Sequence, residues 1–359
     1  MHRRQLLSFA AASLAGCAVQ APTPTPLAPP APLLTGQVLG RIAFGACINQ
    51  KLAQPIWDTV LADRPDLFIF GGDNVYASQQ PWSRDRLLEA YATEAAVPGF
   101  ARLRERIPHM AIWDDHDYGL NDGGAEFAFK HESKSAFLDF WRIPAADPRR
   151  SRDGLYHAQI FGPPGRQVQV ILLDARWFRS PLKRTDERDK PGKERYLPDT
   201  DPAKTMLGQA QWQWLEAQLR QPAQLRLIVS GVQVITRGHG WECWGNFPLE
   251  QQRLYRLIAS TRAQGLVFLS GDRHFGALYR QAGDTPYPFY ELTSSGITHP
   301  WTDAAEAGPN RLGELFTKHH YGVVDIDWNA PSLLLAIKDI AGQVQRSRRI
   351  PLSELEIKT

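Results

Sequence analysis

Acidic, aromatic, thiol and imidazole side chains follow short apolar runs at six points along the chain. The clearest case is Asp73 and Tyr76, which follow the apolar run 67–70 and two glycines. Parallel strands of an α/β sheet bring such side chains together at their carboxyl ends, where glycines allow tight turns. Taken alone, this segment is equally typical of a plain turn in which Asp73 caps a helix. The other candidate side chains are Cys47, Asp114, Asp115, His116, Asp117, Asp174, Gln233, Asp272 and His274.

Polar groups that converge on one sheet edge need metal ions or dense hydrogen bonding to satisfy them. Carboxylates and an imidazole bind divalent or trivalent cations, and a thiolate with a phenolate suits a Lewis-acidic ion such as Fe(III) better than magnesium. A two-metal centre with a bridging carboxylate stabilises the entering and leaving oxygens of an in-line displacement at phosphorus. These residue types therefore predict hydrolysis of phosphate esters.

The elements that must position these groups are short β-rich runs separated by amphipathic stretches, a pattern typical of a mixed α/β layered fold. Strands are predicted at 41–46, 67–70, 110–113, 168–173, 225–229 and 266–269, and helices at 209–219 and 250–259. There is no internal repeat and no second linker after Gly36. Residues 36–359 are therefore predicted to form one catalytic domain.

The amino terminus combines Arg3 and Arg4 with an apolar stretch at 6–14 and the sequence Leu-Ala-Gly-Cys ending at Cys17. A short positive region followed by an apolar core too short to span a bilayer predicts an export signal at 1–16. The paired arginines resemble a twin-arginine signal. The four residues ending at Cys17 resemble a bacterial lipobox, which would leave this cysteine acylated. A soluble secreted enzyme cleaved elsewhere is the alternative.

Residues 17–35 are rich in proline, alanine and threonine and predict an extended spacer behind the lipidated cysteine. Removal of the signal reduces 41 basic residues to 39 against 38 acidic ones. A net charge this small offers no argument for a nucleic-acid partner. We therefore expect small-molecule phosphate esters as partners, and a membrane through the lipid anchor alone. The expected location is the periplasm or the cell envelope.

Three short motifs together resemble a known family. They are Gly-Asp-x-x-Tyr at 72–76, Asp-Asp-His-Asp at 114–117 and Gly-Asp-x-His at 271–274. Their order is similar to that of the calcineurin-like metallophosphoesterases, and specifically to the alkaline phosphatase D (PhoD-like) branch. Supporting phrases at 173–176, 207–215, 244–248 and 291–295 follow in the expected order. The resemblance implies an α/β four-layer α-β-β-α sandwich, with two mixed β-sheets flanked by helices.

The resemblance also implies metal ligands. Asp73 would bridge two ions, and Cys47, Tyr76 and His274 would join it on the first. Oxygen ligands stand where the superfamily has nitrogen at the second ion; they are Asp115, Gln233 and Asp272. Calcium prefers such a ligand set. The implied cofactors are Fe(III) and Ca(II), with Mn, Zn or Mg as alternatives.

Further roles remain open between two interpretations. His116 would protonate the leaving alkoxide, or it is a structural histidine bound to Asp117. Asp114 would assist catalysis by orienting His116 or a water. Arg176 would contact the substrate phosphate, or form a buried ion pair.

Other features leave their own alternatives. Cys47 and Cys243 could pair in an oxidising compartment, unless Cys47 is a thiolate ligand. Either His239 or His299 could reach the site. The charged loop 179–206 is a substrate-binding loop or a solvated surface. The 241–247 loop, with Trp241, Trp244 and Phe247, could offer a stacking wall for an aromatic leaving group.

The resemblance implies an exported phosphatase or phosphodiesterase. The alternatives are a nuclease, a sulfatase-like enzyme or a lipid-head-group phosphodiesterase on the same fold, or an inactive surface binding protein. Family members typically have an amino-terminal β-sandwich, which we expect this chain to lack, because few residues separate the tether from Cys47.

Overall fold

The computed structural model describes residues 29–306 and 308–358. The predicted signal at 1–16, Cys17 and most of the tether lie outside the described residues. In the described ranges, every helix is too short or too polar to span a bilayer.

The described residues form twelve strands, seven α-helices and three short 3-10 turns. The strands are β1 Arg41–Gly45, β2 Leu67–Phe70, β3 His109–Ala111, β4 His157–Phe161, β5 Val168–Leu172, β6 Leu225–Ser230, β7 Leu266–Ser270, β8 Gly276–Gln281, β9 Phe289–Ser294, β10 His320–Asp327, β11 Ser332–Asp339 and β12 Val344–Pro351. The helices are α1 Ile56–Ala62, α2 Arg84–Ala95, α3 Pro98–Arg106, α4 Asp115–Tyr118, α5 Lys130–Phe140, α6 Gly208–Leu219 and α7 Pro248–Ser260. The 3-10 turns are Pro148–Arg150, Trp244–Asn246 and Leu352–Leu355.

The strands form two mixed six-stranded sheets. The first sheet has the order β12-β11-β10-β1-β2-β3, and the second has the order β4-β5-β6-β7-β9-β8. In the first sheet β1, β2 and β3 run parallel, whereas β10, β11 and β12 extend the sheet by antiparallel pairing. In the second sheet β5, β6, β7 and β9 run parallel between antiparallel edge strands. The parallel strands point their carboxyl ends towards the candidate site.

Helices cover the outer face of each sheet. On β2, Phe68 and Phe70 alternate outward and pack against Trp57 of α1, with Phe70 also meeting Phe100 of α3. On the second sheet, Gln169 of β5 donates a hydrogen bond to the backbone of α6. All four residues of β2 are buried, as expected for a parallel strand covered on both faces. The predicted four-layer sandwich is confirmed.

The predicted elements are confirmed with small shifts of their ends. The strand predicted at 110–113 runs over His109–Ala111, and the helix predicted at 250–259 begins at Pro248. Strands β10 to β12 were not predicted, although they form half of the first sheet. Strands β10 and β11 are largely buried, whereas β12 is an edge strand with charged residues and much of its length in solvent.

Candidate metal centre

The candidate site lies where the parallel strands of the two sheets end. Cys47 follows β1, Asp73 follows β2, and Asp114 follows β3. From the second sheet, Asp272 and His274 follow β7. The β6 and β7 ends are joined by a hydrogen bond from the amide of residue 271 to the carbonyl of residue 231, at 2.8 Å. Residues from four separate strand ends therefore meet at one point.

Four of these side chains stand on strained backbone. The φ angles are 63° at Cys47, 50° at Asp73, 66° at Asp272 and 55° at His274. This left-handed region is rarely adopted by residues other than glycine, and each case costs of order 1–3 kcal/mol. Such strain persists when the surrounding structure imposes it, and it is concentrated at functional sites. Here it turns each side chain inward immediately after its strand.

The donor atoms of these side chains form three overlapping groups. The groups are Cys47 with Asp73 and His274, Asp73 with Asp115 and His116, and Asp114 with Asp115 and Asp272. Within each group, one donor atom per residue lies within 4.8 Å of the others. Asp73 and Asp115 each belong to two groups, so the groups are continuous. The structure thus brings together most of the predicted ligands.

Tyr76 joins the first group through its phenol. Its hydroxyl oxygen lies 3.3 Å from Oδ2 of Asp73 and 3.2 Å from Nε2 of His274. The Sγ atom of Cys47 lies 3.5 Å from the same Asp73 oxygen. A thiol, a phenol, an imidazole and a carboxylate therefore converge, which is the donor set expected for a trivalent iron.

Two buried carboxylate oxygens in the acidic group have no protein partner. They are Oδ2 of Asp114 and Oδ1 of Asp115. Buried polar atoms are normally satisfied, and unpaired charges are costly in a low dielectric. Both oxygens belong to residues of the donor groups, so a bound cation would satisfy them. The residues present fit a metal centre.

The pKa shifts of the buried groups also favour a bound cation. Burial, reinforced by the charges of Asp115 and Asp114, raises the pKa of Asp73 well above its usual value. Burial is also the main reason that the pKa of Asp272 rises to about 8. Burial lowers the pKa of His274 to about 3, which keeps the imidazole neutral and able to coordinate. The acidic cluster therefore needs protons or added positive charge.

His116 is held by two contacts that the sequence did not predict. Its Nδ1 lies 2.7 Å from Oγ of Ser78, and its ring stacks on Tyr76 with centroids 4.1 Å apart. Asp117 does not hold the imidazole, because its carboxylate accepts hydrogen bonds from the backbone of Asp114 and from Asn74. Asp117 therefore caps the amino terminus of α4. The interpretation of His116 as a structural histidine bound to Asp117 is wrong. The Nε2 atom is left as the ring nitrogen available to a ligand.

Arg176 does not reach the cavity. Its Nε lies 2.6 Å from Oδ1 of Asp114, its Nη1 lies 2.8 Å from Oε2 of Glu242, and its side chain is fully buried. The second guanidinium on Glu242 comes from Arg179, at 3.1 Å. Of the two interpretations of Arg176, the buried ion pair is the one found. Asp174 is structural as well, because it accepts hydrogen bonds from Trp113 and from three backbone amides.

Gln233 is a further correction. Its amide nitrogen donates to the hydroxyls of Tyr279 and Thr293, both at 3.0 Å, and its oxygen lies 3.2 Å from Nε2 of His239. Protein partners therefore occupy this side chain, and the structure does not support Gln233 as a metal ligand. His239 is engaged there too. His299 instead borders the site, with its ring 4.3 Å from that of His274.

The two cysteines do not pair. Cys47 and Cys243 are both free and buried. Burial raises the pKa of Cys243 to about 12, so this thiol is inert. Cys243 borders a separate cavity of about 770 Å³ beside α7, which holds none of the grouped ligands.

A cavity of about 700 Å³ opens over the donor groups. Its floor includes Asp115, His116, Asn121, Asp122, Asp272 and His274, and its rim includes Arg188, Arg195, Trp241, His299 and Trp301. Sequence reasoning missed Ser78, Asp122 and Trp301. Asp122 stands in the left-handed region with φ 50°, and its amide donates to Oδ2 of Asp115 at 2.8 Å. No motif marks these residues, because their partners are distant in sequence.

Comparisons with known proteins agree with this geometry. A family model described as PhoD-like phosphatase matches residues 42–327. A solved structure titled "Structure of PhoD" matches with a TM-score of 0.67 and 15% identity, covering 90% of this chain and 70% of that one. Purple acid phosphatase PPD1 from yellow lupin (Lupinus luteus) seeds matches with a TM-score of 0.58 and 12% identity, covering 89% of this chain and 55% of that one. No curated protein gave a significant match.

Proposed function

This chain belongs to the PhoD-like phosphatase family of metal-dependent phosphoesterases, and from that premise we propose that it is an exported two-metal phosphatase or phosphodiesterase with His116 as general acid. One observation carries the proposal: three donor groups overlap through Asp73 and Asp115 at the ends of strands from both sheets. A single-metal site would not need donor groups that are continuous through two shared carboxylates.

We assign the first ion, Fe(III), to Cys47, Tyr76, His274 and Asp73. The Oδ2 atom of Asp73 faces both the thiol and the phenol, while its Oδ1 accepts a hydrogen bond from the backbone of His116 at 3.0 Å. Because Asp73 belongs to two donor groups, its carboxylate would be the ligand that the two ions share. The thiol and phenol favour a trivalent ion.

We assign the second ion, Ca(II), to oxygen ligands. Asp73, Asp115 and Asp272 supply carboxylates, and the unpartnered Oδ2 of Asp114 adds a fourth. Asp114 was expected to orient His116, but its other oxygen is bound by Arg176 and its amide by Asp117. A ligand role is therefore the better assignment for it. An all-oxygen set suits a hard cation such as calcium.

When bound, two such ions polarise the phosphoryl group and stabilise the entering and leaving oxygens. His116 supplies the proton. The protonated ring would give its Nε2 proton to the leaving alkoxide, while its Nδ1–H donates a hydrogen bond to Oγ of Ser78, 2.7 Å away. General acid catalysis of this kind contributes about 10²-fold to 10⁴-fold. The stack on Tyr76, with ring centroids 4.1 Å apart, restricts the orientation of the imidazole.

Metal analysis with turnover tests the proposal. Purified protein is expected to contain iron and calcium and to cleave nitrophenyl phosphate, bis-nitrophenyl phosphate or both. Asp73→Asn is expected to lose both ions and activity, because its carboxylate belongs to both sites. Protein free of both metals and inactive on both esters would instead support an inactive binding protein. Cleavage of nucleic acid or phospholipid in place of these esters would support the alternative phosphodiesterases.

The proposed export and lipidation rest on residues 1–17. Cys17→Ser is expected to move the protein from the membrane fraction to the soluble periplasmic fraction in a bacterial host. Arg3→Lys with Arg4→Lys is expected to block export if the twin-arginine route is used. Membrane attachment that persists in Cys17→Ser would contradict lipidation at this residue.

A further inference from the structure

Two indole rings stand at the rim of the active-site cavity. We call Trp241 and Trp301 the tryptophan wall. Their ring centroids are 5.5 Å apart and their planes meet at 82°. The wall borders the same cavity as His116 and His274, so a group bound against it would lie beside the reacting phosphate. The neighbouring Trp244 and Phe247 are buried and take no part.

The two rings differ in what covers them. The guanidinium carbon of Arg195 lies 4.8 Å from the ring of Trp241, and that of Arg273 lies 4.7 Å from it. Arg273 is itself held by an ion pair with Glu306 and is 5.7 Å from Trp301. Two guanidinium groups therefore lie within 4.8 Å of the Trp241 ring, whereas Arg273 is more distant from Trp301, whose side chain remains 37% exposed. Trp301 is therefore the more accessible of the two rings that line the cavity.

The backbone fixes Trp301 relative to the metal centre. Its amide donates a hydrogen bond to the carbonyl of His274 at 2.6 Å, and its carbonyl accepts one from the amide of residue 304. An exposed indole on a mobile loop would be a weak argument for binding. Here the backbone of Trp301 is anchored to that of His274, a proposed metal ligand. The position of this residue relative to the phosphate site is therefore set by the fold.

The size and charge of the cavity fit a leaving group larger than a small alcohol. A volume of about 700 Å³ lies in the range of sites that enclose whole small-molecule ligands. The rim also has Arg188, which is exposed and whose ion pair with Asp189 is long at 3.7 Å. The carboxylates of the floor would hold the phosphate only through the proposed metal ions, whereas the rim combines aromatic rings with positive charge.

We propose that the tryptophan wall is a leaving-group subsite that binds a planar aromatic ring on Trp301. The substrates are then phosphate esters of alcohols that contain such a ring, from either a nucleoside or an aryl alcohol. This inference rests on the proposed phosphoesterase function. Every base and every aryl ring has a π-face, so stacking selects for the ring itself.

Matched substrate pairs test the subsite. Adenosine 5′-monophosphate and ribose 5-phosphate release the same kind of primary alkoxide and differ in the nucleobase. Benzyl phosphate and ethyl phosphate form the corresponding aryl pair, and methyl diesters of all four serve if diesters are preferred. Trp301→Ala is expected to lower kcat/KM for the ring-containing ester by about tenfold or more, the effect of removing a stacked base. The ring-free ester should change by less than about twofold, since it makes no such contact.

Two further variants serve as controls. Trp301→Phe is expected to restore most of the selectivity, since it retains an aromatic face. Phe129→Ala removes an aromatic side chain of similar exposure, 45%, that does not border the cavity, and should leave both esters unchanged. If, in both pairs, Trp301→Ala lowers the two members equally or lowers neither, the subsite is overturned. A response of one pair alone would support that ring source and exclude the other.

A binding measurement separates this inference from the proposed function. Adenosine is expected to quench the tryptophan fluorescence of the wild-type protein, and Trp301→Ala should weaken its apparent affinity about tenfold or more. If wild-type protein hydrolyses none of the esters, the proposed function fails, while this titration still decides the subsite. Unchanged adenosine affinity in Trp301→Ala would exclude nucleosides, and unchanged affinity for both adenosine and benzyl alcohol would overturn the subsite even in an active enzyme.

Discussion

The Nε atom of Arg176 lies 2.6 Å from Oδ1 of Asp114, with the side chains 0% and 2% exposed. The same guanidinium reaches Glu242, which a second buried arginine, Arg179, also contacts. This network turns one oxygen of Asp114 away from the cavity and leaves the other without a protein partner. The ion pair therefore orients a proposed metal ligand.

Arg176→Leu is expected to destabilise the protein by about 3–5 kcal/mol, because it leaves the buried carboxylate of Asp114 without its cation and leaves Glu242 with Arg179 alone. Arg102→Leu is the matched control. It breaks an ion pair with Asp58 in which both side chains are exposed, and should cost no more than about 1 kcal/mol. Urea unfolding of both variants measures the difference. Equal costs would mean that the buried pair is not required for stability.

The phenol of Tyr76 is expected to produce a visible charge-transfer band when it binds Fe(III) as phenolate. Tyr76→Phe should lose this tyrosinate band while keeping part of the iron, since three other ligands remain. Tyr118→Phe is the control, because this buried tyrosine donates to the carbonyl of residue 124 and belongs to no donor group. An absorption spectrum unchanged in Tyr76→Phe, with iron counted on the same sample, would reject Tyr76 as a ligand.

His116→Asn tests the general acid through the leaving group. We expect kcat to fall by about 10²-fold to 10⁴-fold for alkyl phosphate esters, whose alkoxide needs a proton. The loss should be much smaller for nitrophenyl phosphate, because nitrophenolate leaves readily without one. The exposed His131 provides a control, and His131→Asn should retain the activity of the wild type on both esters. A uniform loss in His116→Asn would contradict proton donation.

Metal binding is expected to release protons and to strengthen as pH rises. Burial raises the pKa of Asp272 to about 8, so in the metal-free protein this carboxyl holds a proton at neutral pH. The unfolded chain has already lost that proton above its ordinary pKa near 4, so the metal-free fold loses stability as pH rises towards 8. Calorimetry in buffers of different ionisation heat counts the protons released at about pH 7. Asp272→Asn should reduce that count, and an affinity independent of pH from about 6 to 8 would contradict the assignment.

Tyr196 is expected to support the metal centre from the charged loop 179–206. Its hydroxyl donates to Oδ2 of Asp122 at 2.6 Å, and the amide of Asp122 donates to Asp115. Loss of such an outer contact typically costs about 10-fold to 100-fold in metal affinity or activity. Tyr196→Phe should therefore weaken calcium binding, measured by titration of chelator-treated protein. Tyr287→Phe removes a buried hydrogen bond away from the site and should leave calcium affinity unchanged.

Much of the fold was predictable because it depends on local patterns. The continuous apolar run of β2 identified a strand buried on both faces, and the helical spacing of Trp212 and Leu215 identified α6. Strands β8 to β12 were missed; β12 carries several charges, and its place in the sheet depends on pairing with β11. A short segment of sequence does not indicate that later strands will extend the sheet by antiparallel pairing.

The family could be read from residue order, and so could the candidate donors that follow their strands at a short, local distance. Which donors meet was decided by the packing of the two sheets. That packing engages Gln233 with Tyr279 and Thr293, and pairs Arg176 with Asp114 at a separation of 62 residues. It also places Trp301, which no motif marks, beside His274. Hydrogen bonds and ion pairs act over a few ångströms, so contacts between distant segments exist only once tertiary structure has formed.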